Sequence, residues 1–100
     1  MKTYNKLVRD KIPEIIKASG KNLDINYAKK EEILPLLENK LNEEVSEYLE
    51  DKKLEELADV MEVLFGLANA LGYSEKDLIN KRNEKKEERG GFKKGIVLPS

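Results

Sequence analysis

The stretch that decides the fold is residues 41–59, which read LNEEVSEYLEDKKLEELAD. Leu, Glu and Lys, all good helix formers, fill most of it on both sides of a short polar break at 51–53. A break of this length allows only a tight reversal between two helices. We therefore predict an antiparallel helical hairpin centred on this break.

Apolar residues at three- and four-residue spacing extend both helices away from the break. The first helix is predicted over about 31–50, with a buried stripe that consists of Leu34, Leu37, Leu41, Val45 and Tyr48. The second is predicted over about 54–71, ending at Gly72, with a wider arc that consists of Leu57, Val60, Met61, Leu64, Phe65, Leu67, Ala68 and Leu71. The remaining helices of so small a domain cannot cover that arc, so we expect this helix to contact a second subunit as well.

The two ends of the chain predict shorter elements. A first helix should start with Asp10 as its N-cap, carry Pro13 in its first turn and end at Gly20. A last helix should start at the capping-box sequence of 74–77 and reach about Arg89. Alternation within 23–28 is compatible with one short strand that pairs with the tail at 92–98.

The expected fold class is therefore all-α. It is an antiparallel helical bundle with two long central helices and short helices at either end. A short two-stranded β element could accompany them, and dimerisation would complete the bundle, with a tetramer as an alternative.

Length and composition limit the possible functions. One hundred residues, 39% charged and 39% hydrophobic, correspond to a single domain spanning 1–100. The absence of Cys and His excludes disulfides, thiolate nucleophiles, imidazole bases and Cys/His zinc sites. No stretch resembles a signal peptide or a membrane span, so we expect a cytoplasmic protein without a membrane partner.

Charge is distributed unevenly along the chain. The net charge is −1, but residues 1–30 carry +5, residues 31–59 carry −8 and residues 81–100 carry +4. The basic ends could fold back and neutralise the acidic middle, or the two signs could share one site in which cations bridge the carboxylates and Lys and Arg bind a polyanion. Without a large basic face, no nucleic-acid partner is expected.

Four carboxylates are predicted to converge in the hairpin. On a helical wheel Glu44 falls inside the buried stripe and Glu47 at its edge, and a buried carboxylate requires a partner, a proton or a metal. Residues facing each other in an antiparallel hairpin have a constant sum of position numbers, and both Glu44 with Asp59 and Glu47 with Glu56 give 103. Oxygen ligands of this kind favour Mg²⁺ or Mn²⁺. The alternative is that these acids are ordinary solvated helix residues.

The same residues resemble a known motif. The motif consists of two segments, Glu43-Glu44-Val45-Ser46-Glu47 and Glu56-Leu57-Ala58-Asp59. Together they resemble the EExxE…ExxD pattern of the all-α NTP pyrophosphatase superfamily. This superfamily includes MazG-like proteins and phosphoribosyl-ATP pyrophosphohydrolases. Asn83, Lys85 and Arg89 are similar to the Asn-x-Lys…Arg pattern on the last helix of MazG-like proteins. The opening at 4–13 and the Arg-Gly-Gly-Phe sequence at 89–92 resemble a small subgroup labelled phosphoribosyl-ATP pyrophosphohydrolase-like. Only eight residues separate Glu47 from Glu56, fewer than is usual in MazG-like proteins.

The resemblance implies a Mg²⁺- or Mn²⁺-dependent enzyme that hydrolyses a nucleoside triphosphate to a monophosphate and pyrophosphate, as in the removal of non-standard nucleotides. The implied metal ligands are Glu44, Glu47, Glu56 and Asp59, with Glu47 or Glu44 also acting on the attacking water. The implied phosphate contacts are Lys85 and Arg89. Three further candidate phosphate contacts come from the basic N-terminal segment, which needs an acidic neighbour: Lys6, Arg9 and Lys11. Asn83 is a candidate contact to the base, sugar or phosphate.

Two other readings stay open. The first is phosphoribosyl-ATP pyrophosphohydrolase of histidine biosynthesis, which shares the metal chemistry and differs in substrate. The second is a helical dimer without catalytic activity that binds partners. In that case Lys or Arg, instead of a metal, should neutralise Glu44.

Overall fold

The computed structural model describes residues 6–99, and within this range it contains four helices and no strand. They are α1 (Ile12–Ala18), α2 (Lys30–Asp51), α3 (Leu54–Ala70) and α4 (Glu75–Arg89). The all-α prediction is confirmed. Tyr4 and Asn5, which begin the N-terminal motif, lie outside the described residues. None of the helices in 6–99 has both the length and the apolar character needed to cross a bilayer.

The hairpin of α2 and α3 turns at two residues, Lys52 and Lys53. Lys52 adopts the left-handed conformation, with φ of 56°, and its N–H donates to the carbonyl oxygen of Tyr48 at 2.7 Å. Its Nζ donates to the carbonyl oxygen of Leu49 at 2.7 Å and lies 5.5 Å from the centre of the Tyr48 ring. These contacts explain how a residue with a side chain holds a conformation that favours glycine.

Helix α2 packs closely against α3 where Leu37 lies against Gly66. A Cβ atom placed on Gly66 would lie 3.1 Å from Cδ2 of Leu37. The missing side chain therefore makes room for Leu37, which is buried. The position numbers of Leu37 and Gly66 add to 103, the sum predicted for the facing carboxylates.

Both ends of the α3–α4 connection follow the predicted capping chemistry. Gly72 has φ of 95°, its N–H donates to the carbonyl of Asn69, and the N–H of Tyr73 donates to the carbonyl of Ala68. This pattern is a Schellman motif. Ser74 and Asp77 then form a reciprocal capping box, with bonds of 3.0 and 2.9 Å between each side chain and the other residue's N–H. The turn therefore ends α3 and starts α4 at the predicted residues.

The predicted N-cap of α1 is wrong. The helix begins at Ile12 with Lys11 as its N-cap, and the carbonyl of Lys11 accepts from the N–H of Ile15 at 3.1 Å. An Asp10 cap would place Pro13 at the third helical position, where the capping oxygen needs an N–H that proline lacks. The start therefore shifts by one residue.

The suggested two-stranded β element is also wrong for the described chain. Residues 21–29 and 92–98 contain no strand, and Tyr27, Phe92 and Val97 are 89%, 99% and 86% exposed. A strand pair is stable only when one face packs against a core, and neither segment has such support. The alternation of apolar residues alone does not provide it.

A single chain has an extended shape and a small core. The radius of gyration is 17.2 Å, whereas a compact 100-residue domain has about 13 Å. Leu37, Val63 and Ala68 are the buried apolar residues of the described chain. The hairpin therefore depends heavily on a few close contacts.

We expect Gly66→Val to destabilise the hairpin by roughly 1–3 kcal/mol, because its methyl groups overlap the space that Leu37 fills. Leu37→Ala should cost about 2–5 kcal/mol through the cavity it leaves. Chemical denaturation of both variants and of the double variant measures their coupling. The double variant should lose less than the two single losses combined, since valine then fills the vacated space. Strictly additive losses would contradict the contact.

Candidate metal centre

Three of the four predicted metal ligands meet in the structure. Glu44 projects from α2, and Glu56 and Asp59 project from successive turns of α3. One carboxylate oxygen from each residue lies within 4.8 Å of the corresponding oxygens of the other two. We call these residues the acidic triad. The register set by Leu37 and Gly66 brings the two sides of the triad together.

Glu44 is the buried member of the acidic triad. The residue is only 7% exposed. Its Oε1 lies 3.3 Å from Nζ of Lys40, but its Oε2 is buried without a hydrogen-bond partner. A buried carboxylate oxygen that lacks a partner costs free energy, and a cation beside Glu56 and Asp59 would remove that cost. The donor set therefore fits a hard divalent ion.

Glu47, the fourth predicted ligand, lies one turn beyond Glu44 and is exposed. It is not part of the acidic triad. The negative charge of Glu44, with a smaller contribution from Glu56, raises the pKa of the Glu47 carboxyl above its ordinary value. Glu47 is thus close enough for the charges of Glu44 and Glu56 to change its pKa. Its role as a metal ligand stays a prediction.

Repulsion within the acidic cluster also affects Glu56. Partial desolvation, followed by the charges of Asp51 and Asp59, raises the pKa of Glu56. Its ionised form is therefore disfavoured in the folded protein. A bound cation would reverse this effect by favouring the ionised carboxylate.

Lys40 is a site residue that the sequence analysis missed. Its Nζ lies 3.3 Å from Glu44 and 3.6 Å from Glu43, and its side chain is only 18% exposed. The three- and four-residue spacing to these acids on one helix is the signal that could have identified it. A Lys beside Glu44 is what the non-catalytic reading expects, but it reaches only one of the two Glu44 oxygens.

The basic N-terminal segment lies across the hairpin at the acidic triad. Lys6 forms an ion pair with Glu43, and Arg9 Nη2 lies 3.5 Å from Oδ1 of Asp59. The hydrogen bond from Lys6 lowers the pKa of Glu43, and the same contact raises the pKa of Lys6. The structure thus brings Lys6 and Arg9 to the site, whereas Lys11 is exposed and has no ion pair within residues 6–99.

The candidate residues of α4 form no ion pair with the acidic triad within residues 6–99. Asn83, Lys85 and Arg89 are exposed, and no ion pair links the two basic residues to a carboxylate among the residues the structure describes. Their contacts to substrate stay predictions.

The acidic triad combines one buried carboxylate, Glu44, with two half-buried ones, Glu56 and Asp59. A small cavity of about 80 Å³ lies beside it and is lined by Lys6, Leu7, Leu36, Asn39, Lys40 and Glu43. A larger depression of about 450 Å³ is lined by residues between Lys17 and Asp24, which include no member of the triad. Ligand pockets usually exceed roughly 300 Å³, so the small cavity can accept a phosphate-sized group but not a whole nucleotide.

Comparison of the chain with protein-family models, curated proteins and solved structures found no match. The resemblance to the all-α NTP pyrophosphatases therefore rests on the residues described above and stays a prediction.

We expect Glu56→Gln to raise the melting temperature in EDTA at neutral pH and to remove most of the rise caused by Mn²⁺. Folding raises the pKa of Glu56 above its ordinary value of 4.5. The contribution of protonated Glu56 to the free energy of unfolding is therefore fully present below pH 4.5. It is lost as the pH rises through the pKa of Glu56 in the folded protein. In wild type a metal ion at 100 times its dissociation constant should add about 2.7 kcal/mol of stability.

Differential scanning calorimetry in EDTA and in Mn²⁺, between about pH 4 and pH 8, measures both effects. Glu62→Gln is the matched control, because Glu62 is an exposed acid on the same helix outside the acidic triad. If Glu56→Gln kept the full metal-dependent rise, Glu56 would not be a ligand.

Proposed function

We propose that this chain is a metal-dependent nucleotide pyrophosphohydrolase. It cleaves the α–β phosphoanhydride of a nucleoside triphosphate to a monophosphate and pyrophosphate, in the removal of non-standard nucleotides from the cytoplasm. The observation that carries the proposal is the buried, unpartnered Oε2 of Glu44 beside the carboxylates of Glu56 and Asp59. Mg²⁺ or Mn²⁺ is the cation that such oxygen ligands select.

The local charge supports a divalent ion. The negative side chains at the site include five carboxylates: Glu43, Glu44, Glu47, Glu56 and Asp59. The positive side chains paired with them are three: Lys6, Arg9 and Lys40. The carboxylates therefore outnumber the cations at the site, and a divalent cation would offset the excess. Lys40 alone cannot balance the site, which is why we prefer a metal centre to the non-catalytic reading.

The residues around the centre suit hydrolysis. A bound divalent ion supplies charge neutralisation at the phosphates and lowers the pKa of a coordinated water. Glu47 is exposed, and its raised pKa brings it closer to the range in which a carboxylate accepts a proton efficiently. We therefore assign Glu47 to orienting or deprotonating the water, with Glu44 held in place by Lys40.

Substrate phosphates have cationic partners next to the acidic triad. Lys6 lies against Glu43, and Arg9 lies against Asp59. An incoming polyphosphate with its metal would replace carboxylates as the partner of these side chains. Lys85 and Arg89 are proposed as contacts to the leaving pyrophosphate, and Asn83 as a further substrate contact. Phosphoribosyl-ATP is the alternative substrate, since its cleavage needs the same metal chemistry.

The Lys40–Glu44 pair favours one other candidate function, a helical protein that binds partners without catalysis. That function requires no metal response. The two candidates therefore differ in a simple property, the effect of Mg²⁺ or Mn²⁺ on stability and turnover.

We expect Asp59→Asn to reduce pyrophosphate release by about 100-fold or more, because metal ions supply several kcal/mol of charge stabilisation and 1.36 kcal/mol is a tenfold change in rate. The assay uses a panel of ordinary and damaged nucleoside triphosphates and phosphoribosyl-ATP, with Mg²⁺, Mn²⁺ or EDTA. Glu62→Gln should retain wild-type rates. If the wild type released no pyrophosphate from any substrate of the panel and metal did not change its melting temperature, the non-catalytic candidate would be favoured.

Arg9→Ala should raise the KM about tenfold or more with little change in kcat, since a charged hydrogen bond to phosphate contributes roughly 1.5–3 kcal/mol. The same variant should bind Mn²⁺ at least as tightly as wild type, because Arg9 no longer competes for Asp59. Steady-state kinetics and calorimetric titration measure the two effects. Lys17→Ala on α1 serves as the control, and an unchanged KM in Arg9→Ala would remove Arg9 from the substrate site.

A further inference from the structure

Residues 6–11 lie across the hairpin just before α1, and we call them the basic strap. Lys6 forms an ion pair with Glu43, and Nη2 of Arg9 lies 3.5 Å from Oδ1 of Asp59. Glu43 directly precedes Glu44 on α2, and Asp59 is itself a member of the acidic triad. The strap is therefore attached to the hairpin at the proposed metal centre.

Little else in the described chain holds the basic strap. Helix α1, which follows it, contains no buried residue, and its backbone comes close to no other helix within residues 6–99. The backbone hydrogen bonds that residues 9–20 make outside α1 stay within that range in the described chain. Leu7 is half-buried and lines the small cavity together with Leu36. Attachment therefore depends on the two ion pairs and on Leu7.

The two ion pairs are exposed to water and are held by the charge of the whole acidic cluster. The side chains of Lys6 and Arg9 are 56% and 55% exposed, and ion pairs of this kind contribute little to stability. Glu43 raises the pKa of Lys6, and the charges of Glu47 and Glu44 raise it further. A loss of negative charge anywhere in the cluster should therefore loosen the strap.

A cation in the acidic triad would compete with the basic strap for this negative charge. Oε2 of Glu44 is buried without a partner beside Glu56 and Asp59, so the triad fits a cation. A divalent ion there places two positive charges near Arg9 and offsets the carboxylates that attract it. The coupling is reciprocal, because an attached strap must weaken metal binding by the factor by which metal loosens the strap.

We propose that the basic strap covers the metal centre in the metal-free protein and is released when the acidic triad binds a divalent cation. This inference rests on the proposed function, because release requires the metal centre. An attached strap reduces the repulsion among the carboxylates. A released strap frees Lys6 and Arg9 from their carboxylate partners, so both can bind phosphates that arrive with the cation.

The reactivity of a single thiol at position 7 tests the release. The chain has no cysteine, so Leu7→Cys introduces one thiol at the half-buried position of the strap. Its rate of labelling by a soluble disulfide reagent should rise about fivefold or more when Mg²⁺ replaces EDTA, which is the lower end of typical coupling between sites. The melting temperature, measured in the same two buffers, shows whether Mg²⁺ binds.

Two variants serve as controls. Ile15→Cys places the thiol on α1 at a position that is 59% exposed, and Mg²⁺ should not change its labelling rate. Glu56→Gln, combined with Leu7→Cys, removes a triad carboxylate that forms no ion pair with the strap in the described chain. It should abolish the acceleration by Mg²⁺.

The two readouts separate failure of the inference from failure of the metal centre. If Mg²⁺ raised the melting temperature but left the labelling of Leu7→Cys at its rate in EDTA, the strap would not be released and the metal centre would stand. If Mg²⁺ changed neither quantity, the metal centre would fail and the release with it.

A second measurement needs no substitution and covers the case in which Leu7→Cys itself loosens the strap. Backbone order parameters of the wild type, from ¹⁵N relaxation, report fast motion of the amides of Leu7 and Val8. They should fall below about 0.6 in Mg²⁺, the range of a flexible backbone, and lie above it in EDTA. Equal order in both buffers, with Mg²⁺ bound, would overturn the inference.

Discussion

The contact of Leu37 with Gly66 is the constraint on which the rest of the hairpin depends. Because Gly66 has no side chain, Leu37 lies where a Cβ atom would otherwise be, and α2 approaches α3 closely. The contact also fixes how the two helices are aligned along their axes. Glu44 then lies opposite Asp59, two helical turns away. A slip of one turn would move the facing carboxylates about 5.4 Å apart and divide the acidic triad.

This alignment brings like charges close together, which lowers the stability of the folded protein when no metal is bound. The charge of Glu44 raises the pKa of Glu47, desolvation followed by repulsion raises the pKa of Glu56, and the unpartnered Oε2 of Glu44 adds the cost of a buried polar atom. Lys40 and Arg9 reduce that cost without removing it. An arrangement that destabilises the fold locally and is not needed for packing is typical of a functional site.

The sequence was sufficient to predict the hairpin and most of its acidic centre, because both depend on local rules. Helical periodicity and capping chemistry place α2, α3 and α4, and an antiparallel hairpin with a known turn leaves only one register for Glu44 and Asp59. The failures have physical causes as well. Pro13 cannot supply the N–H that an Asp10 cap requires, and the alternating segment at 23–28 has no core to pack against. The direction of α4 depends on packing that its two apolar residues barely specify, so Lys85 and Arg89 could not be placed.

The turn at Lys52 has a topological consequence. One left-handed residue, with φ of 56°, and its extended neighbour Lys53 interrupt what would otherwise be a continuous run of helix from Lys30 to Ala70, about 60 Å long. If both residues adopted helical angles, the two arms could no longer meet within one chain, and each would have to pair with the complementary arm of another molecule, as in domain swapping. The bonds from Lys52 to Tyr48 and Leu49 oppose that exchange. The backbone angles of Lys52 and Lys53 thus decide whether Glu44 shares its carboxylate centre with Asp59 of its own chain or of another.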